Sequence, residues 1–138
     1  MRRLGALPLL ALLVGCASPA SPSQIPVSCQ PIDSSPAPIA FSFAPGNVTS
    51  SVAEQTAAAL FRACQNPNSV SDLTSSSKAT TGVKLGPNAG QAVWLIQVDA
   101  TVAGAVSLRV AYLVEVNQAT GVPTIIGMPC NGPEGACG

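Results

Sequence analysis

Two stretches in the second half of the chain alternate between apolar and polar positions. In 92–101, Trp94, Ile96, Val98 and Ala100 fall on one side and Gln97 and Asp99 on the other. In 108–116, Leu108, Val110, Tyr112, Val114 and Val116 repeat the phase, with Arg109 and Glu115 opposite. A period of two is that of a strand with one buried face. A shorter strand is expected over 122–127, with Val122, Thr124 and Ile126 in phase. A weaker one is expected over 81–85, joined to the next by Gly86-Pro87-Asn88-Ala89-Gly90. Residues 40–44 suggest a lead-in strand stopped by Pro45-Gly46-Asn47. The period changes to helical over 51–64, where Val52, Thr56, Ala59, Leu60 and Ala63 share one face. Ser51 and Glu54 are spaced as a capping box, and the helix is expected to stop before Asn66-Pro67. Residues 65–81 are rich in Ser, Thr and Asn and read as a loop.

Paired residues in a sheet point to the same side, so the alternation restricts the register. A loop centred on Gly104 pairs Trp94 with Val114, Ile96 with Tyr112, and Asp99 with Arg109 across the exposed face. A loop centred on Ala119 pairs Val116 with Val122 and Tyr112 with Ile126. Pro123 then lies in the last strand, where a missing N–H is tolerated only at a sheet edge. The expected fold is α+β: one N-terminal helix packed on a three- to four-stranded antiparallel meander.

That topology, with the string Tyr112-Leu113-Val114-Glu115-Val116-Asn117-Gln118-Ala119-Thr120-Gly121, resembles the PepSY or cystatin-like architecture. The resemblance implies a binding module of the kind linked to protease inhibition and envelope regulation.

The N-terminus has a different character. Arg2 and Arg3 precede an apolar run over 4–14, which closes on Leu13-Val14-Gly15-Cys16. The run is shorter than the roughly 20 apolar residues of a spanning helix and suits the apolar core of a signal peptide. Its end resembles the lipobox of a bacterial lipoprotein precursor. The resemblance implies cleavage after Gly15, a diacylglycerol thioether (with palmitate-type acyl chains) on Cys16, and acylation of the new amino group. Two or three acyl chains hold a protein stably on a membrane where one does not. The expected organisation is a signal peptide over 1–15, a lipid-anchored Pro/Ser-rich tether over 16–38, a small domain over 39–128 and a disulfide-closed tail over 129–138. Six prolines and six serines within 17–38 favour extended, semi-rigid chain.

Composition narrows the chemistry. The chain has 138 residues and no His, with six basic and six acidic residues. Beyond Gly15 it keeps four basic and six acidic side chains. A mildly acidic chain without a basic run lacks the electrostatic footprint of nucleic-acid binding. Absence of His removes His-based triads and ligands. Besides Cys16, an even number of cysteines remains: Cys29, Cys64, Cys130 and Cys137. In an exported chain these read as two disulfides. The alternative is a Cys₄ zinc site, which the lack of any C-x-x-C pair and the oxidising compartment disfavour. Of the three possible pairings, Cys130–Cys137 closes a small C-terminal loop, and Cys29–Cys64 pins the tether to the end of the helix.

Ser75-Ser76-Ser77-Lys78 matches the S-x-x-K of penicillin-interacting enzymes, but neither their large fold nor their K-T-G strand is present. Asp99 and Glu115 read as solubilising charges on adjacent strands, and Trp94 and Tyr112 as core. No metal, cofactor or catalytic residue is expected. The sequence reads as a non-catalytic, lipid-anchored binding or regulatory module on the extracytoplasmic side of the cell envelope. It would sit on the cell membrane, or on the outer membrane where there is one. Its partners would be the bilayer through Cys16 and another envelope protein. A structural or accessory lipoprotein of an envelope complex is the alternative, and a small hydrolase a distant one.

Overall fold

A computed structural model describes residues 23–32 and 34–133. The expected signal peptide, Cys16 and Cys137 lie outside the described residues. The fold is mixed α+β: strands β1 (Ser23–Ser28) and β2 (Pro38–Phe43), helix α1 (Ser50–Cys64), then β3 (Val70–Thr81), β4 (Ala92–Val102), β5 (Leu108–Asn117) and β6 (Pro123–Pro133). The last four form an antiparallel sheet in chain order, and β1 pairs with β2 in a separate two-stranded sheet.

Ala53, Ala57, Leu60 and Phe61 of the helix meet Ile96, Val98 and Ala100 of β4 and Val110, Tyr112, Val114 and Val116 of β5. The strand alternation thus reads correctly on β4 and β5, while the helix is rotated relative to expectation. Ala59 and Ala63 are exposed, and Phe61 is fully buried with its ring 4.8 Å from that of Tyr112. Phe61 was outside the expected stripe, yet a buried Phe removes far more apolar surface from water than Ala63 would. The cap moves as well. Thr49, not Ser51, is the N-cap, its Oγ1 accepting from the Val52 N–H at 3.3 Å. Glu54 leaves the capping box and accepts from Ser77 Oγ at 2.6 Å and from Ser75 Oγ at 3.5 Å.

That contact explains the main correction. Residues 65–81 are not a loop: after a 3-10 turn at Pro67–Ser69 they form the 12-residue edge strand β3. Its partly buried positions include Leu73, Ser75 and Ser77. Serines stand where alternation requires apolar residues, because a helix carboxylate satisfies their hydroxyls. Of the weak strand expected over 81–85, Thr81 ends β3, Gly82 makes an isolated bridge to Ala89, and Lys84 and Leu85 are turn.

The expected tether is also revised. Residues 23–28 form β1, Val27 is buried, and Cys29 is bonded to Cys64 with a Cα–Cα distance of 5.4 Å. Ile25 and Val27 alternate, and a partner strand turns this otherwise tether-like stretch into one wall of the core. The tail expected from residue 129 is strand as far as Pro133.

Registers differ in detail. The β4–β5 loop centres one residue later than expected, so Trp94 faces Val116, Ile96 faces Val114, Asp99 faces Ala111 and Arg109 faces Thr101. The faces are kept and the Asp99–Arg109 pair is not formed. On β6 the phase reverses. Val114 faces Ile125 and Val116 faces Pro123, so Ile125 is buried where Ile126 was expected. The turn decides this: Asn117 Oδ1 accepts from the N–H groups of Ala119 and Thr120, and Gly121 takes φ +76°. A Cβ there would stand 2.5 Å from the Ala44 carbonyl oxygen, so only glycine fits. Pro123 does occupy an edge strand, as expected.

Candidate functional site

Each strand of the sheet sends alternate residues away from α1, and on this outer face Glu115 is fully buried. The segment 82–91, linking β3 to β4, covers it. Glu115 Oε2 accepts from the Val83 N–H at 2.8 Å, and Oε1 receives a longer contact of 3.5 Å from Asn88 Nδ2. Asn117 Nδ2 donates to Asn88 Oδ1 at 3.0 Å and to Gln91 Oε1 at 2.6 Å. A buried carboxylate is tolerated only where hydrogen bonds replace its lost water. Gly82 allows the close approach, since a Cβ on it would run into the Asn88 backbone carbonyl. Val93, next to Asn117 across the strands, is buried under the same cover. Glu115 is therefore a brace and not the solvated charge that alternation suggests. The apolar Val93 and Leu95 beside it on the outer face were the available signal that this side is covered.

The braced segment presents an apolar surface. Leu85 is 98 % exposed, and Val83 and Ile32 are also exposed. With Lys84 and Ile126 of β6 they line a groove of about 500 Å³. Ile32 belongs to the β1–β2 connection and closes the groove from the other side, its Cδ1 facing Gly86. A second, more polar groove of about 550 Å³ is lined by Asn47, Gln91, Asn117 and Gln118 among others. Three of these amides already have partners inside the protein: Asn117 and Gln91 in the cluster above, and Gln118 through Nε2 to the Val93 carbonyl at 3.1 Å.

The sequence-level candidates are not brought together. Asp99 accepts from Gln97 Nε2 at 3.1 Å and faces Ala111, while Glu115 faces Leu95. Ser75 and Ser77 donate to Glu54, and the exposed Lys78 is the next residue along the same strand. Trp94 Nε1 donates to the Val48 carbonyl at 3.0 Å. Tyr112 is in the core, its Oη accepting from Gln65 Nε2 at 2.8 Å. Burial raises its phenol above the ordinary 10.0, partly offset by the Gln65 hydrogen bond. Among the cysteines, Cys29 and Cys64 are bonded to each other as expected. Cys130 is also disulfide-bonded, and its expected partner Cys137 lies outside the described residues. Among the described residues no cluster of His, Cys, Asp and Glu is built to hold a metal ion, and no helix is long and apolar enough to cross a membrane.

Comparison with protein-family models, with curated proteins and with solved structures returned no match to this chain.

Proposed function

We propose that the chain is the head of a lipid-anchored protein on the extracytoplasmic side of a bacterial envelope, working by non-covalent binding and not by catalysis. The observation that carries this reading is the spacing between anchor and fold. The lipobox ends at Cys16, and the first strand begins at Ser23. Seven residues span at most about 25 Å when fully extended. Acyl groups on Cys16 would hold the head close to the bilayer, on a short leash and not on a long stalk. The Cys29–Cys64 bond supports the compartment, because structural disulfides persist where thiols are not kept reduced. Binding is favoured over chemistry because Asp99 and Glu115 face different neighbours, Ala111 and Leu95, and the buried Glu115 is committed to holding a loop. The PepSY-like string and the four-stranded meander support a regulatory module acting on another envelope protein.

The test is Cys16→Ala in a bacterial host supplied with labelled palmitate. The wild-type chain should take up label and float with membranes, and the variant should do neither. A variant processed and membrane-bound like the wild type overturns the reading.

A further inference from the structure

Resting on that anchored reading, we propose that the loop around Leu85 is a membrane-contacting face, with Leu85 seated among the lipids and Lys84 on their phosphates. Three observations converge on it.

The first is exposure without slack. Leu85 stands 98 % exposed, and a large apolar side chain on a flexible loop would fold onto neighbouring surface. This one is held out, because buried Glu115 fixes the Val83 N–H two residues before it. Gly86 and Ala89 close the next turns, the Gly86 N–H donating to Val83 O and the Ala89 N–H to Gly86 O. The second is local charge. Lys84 is the only charged residue in 82–91, so the loop pairs one cation with an apolar tip although the whole chain is mildly acidic. Apolar side chains flanked by a cation are what the headgroup–acyl boundary accepts.

The third is where the anchor joins. Ser23 pairs with Phe43 at the end of the β1–β2 hairpin. The segment that follows β2 bonds to the β5–β6 turn through Gly46 N–H to Thr120 O and Val48 N–H to Gln118 O. The Gln118 N–H donates to Ala92 O, and the Gly82 N–H to Gln91 O. This run of contacts ties the start of β1 to the two stems of the loop, while its tip lies beside Ile32 of the β1–β2 connection. A lipid on Cys16, seven residues and at most about 25 Å from Ser23, therefore keeps this loop within reach of the bilayer. Val106, 66 % exposed, belongs to the β4–β5 connection at the far end of β4.

The experiment uses the full lipidated chain in vesicles of phosphatidylethanolamine and phosphatidylglycerol. An environment-sensitive fluorophore is attached to Leu85→Cys or, in a separate protein, to Val106→Cys. Both positions are exposed, so labelling leaves the core intact. The probe at 85 should shift to the blue and be quenched several-fold more by headgroup-level nitroxide lipids than the probe at 106. Lys84→Glu should weaken that quenching, and more so as phosphatidylglycerol is increased. Flotation with equal, water-like emission at both positions overturns the proposal and leaves the anchor standing. A blue shift at 85 without lipid quenching also overturns it, and points to a second copy or a protein partner on the groove. A chain that does not float overturns both readings.

Discussion

At the residue scale, Glu115 behaves as an internal clamp, and its energetics follow from what it leaves behind when removed. Glu115→Ala strands the buried Asn88 amide and takes away the acceptor of the Val83 N–H, a cost of roughly 2–4 kcal/mol. Glu115→Gln keeps one acceptor and should cost only about 1 kcal/mol. Urea unfolding reads the totals, and hydrogen exchange at Val83 should accelerate before exchange in β5 does. Tyr112 carries a separate signature. Its phenol is raised by burial above 10.0, against the smaller lowering by Gln65. The folded state therefore binds this proton more tightly than the unfolded chain. That contribution is complete below pH 10 and is lost as pH rises through the raised native value. Wild type should lose stability above pH 10 more steeply than Tyr112→Phe, measured by urea midpoints at successive pH values.

At the element scale, two attachments control the helix. Its N-terminus is capped by Thr49 Oγ1. Thr49→Ala should cost about 1 kcal/mol, while Ser51→Ala, which removes no cap, should be close to neutral. Denaturation of the two single variants separates the observed cap from the one the Ser51–Glu54 spacing suggests. Its C-terminus is tied to the β1–β2 hairpin by Cys29–Cys64, at a sequence separation of 35. A closure of that length stabilises by about 4 kcal/mol in the chain-entropy estimate. Replacing both cysteines by Ser should remove roughly 2–4 kcal/mol. Exchange protection should fall first in β1, whose only ladder partner among the described residues is β2.

At the scale of the whole molecule, the hairpin, helix and sheet share one apolar cluster that includes Val27, Phe41, Phe43, Phe61 and Ile125. Elements that cannot bury their faces separately melt together. The lone Trp94 packs against that cluster and is hydrogen-bonded to Val48. Its fluorescence and the far-ultraviolet circular dichroism should give coincident urea transitions in the oxidised protein. A split transition would mean that the hairpin is an independent unit.

The strand assignments of β4 and β5, their inward faces, the helix to Cys64 and the Cys29–Cys64 bond were legible in the residues themselves. Each rests on local periodicity or on the chemistry of one residue type. What escaped was whatever depends on a neighbour distant in sequence. Ser75 and Ser77 read as loop until Glu54 of the helix satisfies them. Residues 23–28 read as tether until β2 pairs with them. The β6 phase turned on one Asn-anchored turn, and a shift of one residue there exchanges Ile126 for Ile125. The candidate surface was hidden for the same reason. Glu115 looks solvated by alternation, and only the folded-back segment 82–91 buries it and holds Leu85 out. The sequence by itself determined the α+β class and the inner faces of β4 and β5, because periodicity is a property of the chain. The tertiary structure alone decided the edge strand β3, the strand β1, the registers and the covered outer face, because they depend on which distant partner satisfies each polar group.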